Sequence, residues 1–126
     1  MALVTKNNLL SFIEYYHGFH DSYITQMNYN IKLSQIELLI DVFWVGKPVQ
    51  KEDGTYETNK TKIKMIFHGV ENVLMKEIFS WDYICTAFIK YIQIKNKEYI
   101  CFASDEKEPL VSIVCDYIEY EECSPV

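Results

Sequence analysis

The sequence contains no arginine, so its positive charge comes from lysine and histidine alone. Twelve lysines face 18 acidic residues, which gives a formal net charge of -6 and a pI near 5.0. Arginine binds phosphate and guanine through two-point contacts, and a basic surface supplies most of the attraction to nucleic acids and anionic membranes. The composition therefore disfavours nucleic-acid binding, binding to membrane surfaces and phosphoryl chemistry.

Glycine is also scarce. The four glycines stand singly along the chain, whereas a phosphate-binding loop needs several glycines close together so that backbone N–H groups can surround the phosphate. Ser22 and Cys85, the candidate nucleophiles that could pair with a histidine, stand in no nucleophile elbow or glycine-rich loop. The sequence therefore shows neither a nucleotide-binding motif nor a hydrolase motif.

The cysteines are not arranged for metal binding. Cys85, Cys101, Cys115 and Cys123 form no C-x-x-C pair, and no histidine stands at zinc-finger spacing. The N-terminus lacks the charged region and apolar run of a signal peptide, and no stretch approaches the roughly 18 apolar residues needed to span a bilayer. We therefore expect a soluble cytoplasmic protein with reduced cysteines, no cofactor and no metal.

The N-terminal segment predicts a short helix. Asn7 or Asn8 can cap its start, and Gly18 suits the left-handed residue that ends a helix. A helix of little more than two turns is marginal on its own, so its apolar face must pack on a larger element. That face consists of Leu9, Phe12, Ile13 and Tyr16.

The rest of the chain predicts strands joined by short polar turns, such as the turn at Asn96-Lys97. We therefore expect a single α+β domain over residues 1–126, with a mainly antiparallel, curved sheet of about six strands and the short helix packed on one face. A half-barrel whose open side is covered by the helix is the alternative. The predicted strands are residues 21–29, 35–45, 61–68, 87–95, 98–104 and 110–120.

Three segments are less regular. Residues 46–60 include Pro48 and Asp53-Gly54 and predict a polar loop or the tip of a long hairpin. Residues 70–79 fit both helical and strand spacing, so we expect a short helix or an irregular strand there. Residues 119–126 predict an acidic tail.

His17, His20 and Asp21 form an H-x-x-H-D motif where the helix passes into the first predicted strand. Two imidazoles and a carboxylate are suitable zinc ligands, but Gly18 interrupts the helical face between the histidines, and His68 or another distant ligand would be needed. The sequence favours a structural role, in which His20 or Asp21 bonds backbone groups at the turn. Ligand contact or catalysis is the alternative for these residues.

Acidic residues concentrate in the last fifth of the chain, together with two tyrosines. Such a cluster usually forms a solvated face. It also suits docking to a basic protein, because tyrosine is enriched at interfaces and opposite charges steer association. The candidate partner-binding residues are Asp105, Glu106, Glu108, Tyr117, Glu119, Tyr120, Glu121 and Glu122.

One resemblance follows from these patterns. The predicted helix, the motif Phe19-His20-Asp21-Ser22, the alternating residues 24–29 and the strand 36–44 resemble a family of small bacterial proteins with a Phe-His-Asp-small motif before the first strand. Some members are assigned as immunity proteins of polymorphic toxin systems. The resemblance covers about the first third of the chain, and it implies a cytoplasmic protein that neutralises a cognate toxin by binding it.

Two functional hypotheses follow. The first is a non-catalytic protein-binding module, a toxin-neutralising immunity protein that binds a basic toxin domain through its acidic surface. The second is a small metal-binding or hydrolytic enzyme with a site around His17, His20 and Asp21, which requires these residues to converge with His68. A structural or homo-oligomeric subunit without a ligand of its own is a third possibility.

Overall fold

The structure, a computed structural model, describes residues 1–5, 7–19, 22–75, 84–86, 88–94, 97–103 and 109–123. Within these residues lie one α-helix, α1 (Leu9–Tyr15), a 3-10 turn (His17–Phe19) and ten strands. The strands are β1 (Ala2–Val4), β2 (Ser22–Asn30), β3 (Gln35–Gln50), β4 (Tyr56–His68), β5 (Asn72–Met75), β6 (Ile84–Thr86), β7 (Phe88–Ile94), β8 (Lys97–Ala103), β9 (Pro109–Cys115) and β10 (Tyr117–Glu122).

The strands form two antiparallel sheets. Sheet A has the order β1-β10-β4-β3-β2-β6, and sheet B has the order β5-β9-β8-β7. Buried residues of both sheets and of α1 belong to one hydrophobic cluster. The predicted fold class, α+β with a mainly antiparallel sheet and a short N-terminal helix, is confirmed, and the four strands of sheet B add a second layer to the six strands of sheet A.

The long hairpin of β3 and β4 forms the centre of sheet A. Alternate side chains of the two strands point to one face, as the period of a strand requires, and are completely buried there. Each of these apolar side chains contributes roughly 1.5–3 kcal/mol of burial free energy. They are Ile36, Leu38, Ile40 and Val42 from β3 and Ile63, Met65 and Phe67 from β4.

This hairpin is longer than the sequence suggests. Of the loop or hairpin tip predicted over residues 46–60, only residues 51–55 lie between the strands. Gly46, with a φ of 64°, and two register shifts around Val45 bend the ladder without ending it. Proline and glycine thus mark an irregular strand here, and the alternative of a long hairpin tip is the correct one.

The prediction of one strand over residues 110–120 is wrong, because two strands of different sheets cover these residues. β9 lies in sheet B and β10 lies in sheet A, and Asp116 stands between them. The backbone N–H of Asp116 donates to the carbonyl of His68 at 2.8 Å, and that of Glu71 donates to the carbonyl of Val114 at 2.9 Å. The connection from β4 to β5 and the connection from β9 to β10 therefore cross at one point.

Gly69 makes this crossing possible. Its φ is 65°, and a Cβ atom at this position would overlap the carboxylate of Asp116. A residue with a side chain would be strained by its backbone and would also collide with Asp116. Both reasons favour glycine at this position, where the chain leaves β4 towards β5.

Helix α1 packs as predicted. Phe12 and Tyr16 are buried in the core, and Leu9 and Ile13 pack against it. Gly18 has the expected left-handed conformation, with a φ of 65°. Asn8 holds the N-cap position, but its side chain does not cap α1.

The side chain of Asn8 forms hydrogen bonds with the backbone of residues that precede it in the sequence. Its Oδ1 accepts a hydrogen bond of 2.7 Å from the backbone N–H of Thr5, and its Nδ2 donates to the carbonyl of Leu3 at 2.7 Å. These bonds tie the start of α1 to β1, a three-residue strand that the sequence does not predict.

Three further expectations concern short segments. Residues 72–75 of the ambiguous segment 70–79 form a strand, while residues 76–79 lie outside the described residues. Lys97, expected in a turn, is the first residue of β8 and pairs with Ile94. Residues 124–126 of the predicted acidic tail also lie outside the described residues, and its first residues belong to β10.

Neither helical segment described has the length and apolar character to cross a membrane.

Candidate functional site

His17 is an exposed residue of the turn that follows α1. His17, Gly18 and Phe19 have φ angles of 53°, 65° and 61°, a left-handed run that costs free energy at residues other than glycine. Nε2 of His17 lies 2.5 Å from the carbonyl oxygen of Gly46, and the imidazole ring centre lies 6.3 Å from the ring of Trp44. The imidazole therefore fastens this strained turn to β3.

His68 lies at the other end of the long hairpin. It pairs with Gln35, whereas Gly46, the partner of His17, stands eleven residues further along β3. That length of strand spans on the order of 35 Å. The structure does not bring His17 and His68 together, and no three His, Cys, Asp or Glu side chains of the described ranges form a metal-binding group.

Strand β10 distributes the predicted acidic surface over two faces of sheet A, because successive side chains of a strand point to opposite sides. Ile118 is completely buried, which fixes the orientation of the whole strand. The side that points away from the core presents Tyr117, Glu119 and Glu121. The side that points towards the core and α1 presents Ile118, Tyr120 and Glu122.

On the outward side, each acidic side chain lies beside a basic side chain of β4. Oε1 of Glu119 lies 2.6 Å from Nε2 of His68, and Oε1 of Glu121 lies 3.9 Å from Nζ of Lys64. Nε2 of His68 forms no hydrogen bond despite this short distance, and the contact is an ion pair when the imidazole is protonated. We call Tyr117, Glu119 and Glu121, with His68 and Lys64, the β10 face.

Tyr117 is the aromatic member of the β10 face. Its ring stacks on the imidazole of His68, with centroids 4.3 Å apart and planes 8° apart. Its side chain is 46% exposed. The stack fixes the ring against the sheet and leaves nearly half of its surface open to solvent.

The same side of sheet A continues across β4 and β3 with paired charges and rings. Nζ of Lys62 lies 3.7 Å from Oδ1 of Asp41. The ammonium group of Lys60 lies 5.3 Å from the centre of the Phe43 ring, which meets Tyr23 edge-on at 5.6 Å. The predicted acidic surface is therefore one margin of a face of mixed charge.

The inward side of β10 binds α1. The hydroxyl of Tyr16 donates a hydrogen bond of 2.7 Å to Oε1 of Glu122. Burial, and then the carboxylate of Glu122, raise the pKa of Tyr16 far above its usual range, so the phenol stays neutral and remains a donor. Tyr120 packs on Phe12 with ring centroids 4.6 Å apart. Glu122 and Tyr120 thus serve the packing of α1.

A pocket of about 310 Å³ lies where α1 meets β10. Four of its six lining residues are aromatic and none is basic, and we call it the α1–β10 pocket. The sequence does not predict this pocket, although the aromatic residues of α1 recur at helical spacing. The lining residues are Asn8, Ser11, Phe12, Tyr15, Tyr16 and Tyr120.

The remaining predicted site residues lie outside the described residues. They are His20, Asp21, Asp105, Glu106 and Glu108. The candidate site that the described residues support therefore consists of β10, with the β10 face on one side and the α1–β10 pocket on the other.

Comparison of the chain with protein-family models, with curated proteins and with solved structures finds no match.

Proposed function

We propose that this protein is a non-catalytic binding module that neutralises a basic protein toxin domain by docking to it through the β10 face. The observation that carries the proposal is the placement of Tyr117, which is stacked on His68 and 46% exposed. Tyrosine gives a large contact area for few rotatable bonds, and a ring already held by its neighbour loses less entropy when a partner binds. Tyr117 is therefore the aromatic anchor of the proposed interface.

The charges beside Tyr117 suit a basic partner. Glu119 and Glu121 are partly exposed, and their pairs with His68 and Lys64 are of the kind that contributes at most about 1 kcal/mol to stability. An arginine of the partner binds a carboxylate in a two-point contact, which is stronger than either existing pair. The net charge of -6 adds long-range attraction for a basic domain.

The two parts of the proposal have separate supports. The docking face rests on the geometry of β10 and β4. The toxin-neutralising role rests on the resemblance of the first third of the chain to immunity proteins, because such proteins act by occupying a toxin.

The test begins with a search beside the gene for this chain for a large gene with a variable C-terminal toxin domain, and that domain is then co-expressed with this chain. We expect this chain to restore growth of cells that express the toxin domain, and the two proteins to purify together as one complex. A toxin domain that remains lethal, or that fails to bind the purified chain, would contradict the proposal.

A further inference from the structure

The long hairpin of β3 and β4 extends beyond the other strands of sheet A. β2 pairs with β3 only as far as Asp41, and β10 pairs with β4 only from Ile63 onwards. Among the described residues, 42–61 therefore form a two-stranded ribbon, which we call the hairpin arm. Its outer part carries apolar side chains in solvent, because Val49 and Tyr56 are 65% and 58% exposed. A two-stranded ribbon is only marginally stable in water, so pairing with a further strand would stabilise the arm.

The two edges of the hairpin arm differ. The β3 edge contains Pro48, which has no N–H group, and two register shifts around Val45 whose extra residues lie on β3. Proline and bulges protect an edge against pairing with another strand. The β4 edge has neither feature, so it remains suitable for pairing.

One hydrogen bond shows which backbone groups of β4 point to this edge. The carbonyl of Lys62 accepts a bond of 2.6 Å from the N–H of Cys123, so it points away from β3. Successive residues of an antiparallel strand direct their backbone groups to alternate sides. The N–H and C=O groups of Lys60, Thr58 and Tyr56 therefore point to the same edge, where no described strand pairs with them.

The charges along this edge select one register for symmetric pairing with a second copy of the chain. A two-fold axis at Glu57 or at Lys60 would place like charges directly opposite each other, which is destabilising. An axis at Asn59 would require the carbonyl of Lys62, which already accepts a hydrogen bond. An axis nearer the tip would oppose β4 with the turn. An axis at Thr58 meets none of these objections.

We propose that the hairpin arm binds a second copy of this chain, with the two β4 strands paired antiparallel around Thr58. In this register Tyr56 of each copy lies opposite Lys60 of the other. Nζ of Lys60 lies 5.3 Å from the centre of the Phe43 ring, so the incoming tyrosine gives the same ammonium group a second aromatic ring. The contact is smaller than a standard interface, so the dimer is weak. It uses no residue of the β10 face and is independent of the proposed function.

Sedimentation equilibrium of the full chain at concentrations up to about 1 mM tests this pairing. We expect a reversible monomer–dimer equilibrium. Thr58→Pro removes an N–H group that points to the open edge, so it should leave the circular dichroism of the monomer unchanged and weaken the dimer at least about tenfold. Thr58→Val keeps the N–H group and should associate like wild type. A chain that stays monomeric up to about 1 mM, or a Thr58→Pro variant that associates like wild type, would overturn the proposal.

Disulfide cross-linking tests the register without a proline in the strand. Directly opposed residues of a hydrogen-bonded pair have Cα atoms about 5.5 Å apart, a distance that a disulfide can span. Under mild oxidation, Thr58→Cys should therefore form a covalent dimer. Gln50→Cys, at an exposed residue on β3 of the same arm, should form no more covalent dimer than wild type. Equal cross-linking of the two variants would show that the copies do not meet through the β4 edge.

Discussion

The hydroxyl of Tyr16 and the carboxylate of Glu122, 106 residues apart in sequence, are joined by a hydrogen bond of 2.7 Å. This bond attaches the N-terminal helix to the last described strand. It holds the inward side of β10, while the outward side presents Tyr117 and its acidic neighbours. The pair therefore helps to position the strand that carries the β10 face.

Replacing Tyr16 by phenylalanine should test this attachment. Tyr16→Phe keeps the buried ring and removes the hydroxyl, and we expect a loss of about 1 kcal/mol in the free energy of unfolding, because one partner of the bond is charged but partly exposed. Tyr29→Phe, at a residue that is 46% exposed, is the matched control and should stay within about 0.5 kcal/mol of wild type. Urea unfolding measures both, and equal stabilities of the two variants would contradict the role assigned to the bond.

Alkaline pH should weaken the fold through the same residue. The folded protein raises the pKa of Tyr16, by burial first and then by the Glu122 carboxylate. Above about pH 10, where a tyrosine of the unfolded chain releases its proton, the folded state binds more protons than the unfolded state, so the free energy of unfolding falls as pH rises. Urea midpoints measured from pH 8 to 11 should therefore fall more steeply for wild type than for Tyr16→Phe. Parallel slopes would contradict the proposed pKa shift.

The sheet crossing allows a matched pair of glycine substitutions. Gly18 and Gly69 both have a φ of 65°, but a Cβ atom has open space at Gly18 and overlaps the Asp116 carboxylate at Gly69. Gly18→Ala should cost about 1 kcal/mol from backbone strain alone, and Gly69→Ala about 2–3 kcal/mol because the collision adds to that strain. Thermal unfolding of the two variants measures the difference. Equal losses would show that the crossing can shift to accommodate a side chain.

At the tip of the long hairpin, Asp53 should titrate below the usual range of an aspartate. Its Oδ1 accepts hydrogen bonds from the hydroxyl and the backbone N–H of Thr55, at 2.6 and 3.0 Å, and these bonds lower the pKa of the carboxyl. In Thr55→Val the hydroxyl bond is lost, so the pKa of Asp53 should rise towards its usual value, whereas Thr55→Ser should retain most of the shift. A pH titration followed by NMR tests this, and identical pKa values in the two variants would refute it.

The regular part of the fold follows from sequence pattern. Residues 35–45 are apolar on both faces and residues 61–68 alternate, and these patterns predict the two strands. The structure completely buries the alternate residues from Ile36 to Val42 and from Ile63 to Phe67, whereas Trp44, expected on the same face, is only partly buried beyond the register shift that follows Val42. The N-terminal helix is likewise predicted with its correct packing face, because a short helix can be stable only where its apolar residues find a core. Local periodicity and the need for burial determine these elements.

The sequence does not predict the crossing between the sheets, because the crossing depends on a shift of one residue in the spacing of the buried positions. Val111, Ile113 and Cys115 are buried at alternate positions, and the alternation then slips by one residue to Ile118. A slip of one residue turns the opposite side of a strand towards the core. This signal was present in the sequence, but the pairing of each half with a different sheet depends on distant strands.

The acidic surface was also harder to predict than its composition suggests. A run of acidic residues looks like one charged patch, but a strand sends neighbouring residues to opposite faces. Glu122 therefore accepts a hydrogen bond from Tyr16, the C-cap residue of α1, while Glu119 and Glu121 lie beside His68 and Lys64. The strand register that creates these pairs depends on long-range pairing, so local sequence could not supply it.

The most direct test of the proposed function is the affinity of the toxin domain for two double variants with the same change in net charge. Glu119→Lys with Glu121→Lys reverses the β10 face, and Glu52→Lys with Glu57→Lys reverses two exposed charges near the hairpin tip. Calorimetric titration of variants whose folding has been checked by circular dichroism should show binding at least about tenfold weaker for the first and within about twofold of wild type for the second. Equal affinities of the two double variants would contradict docking through the β10 face.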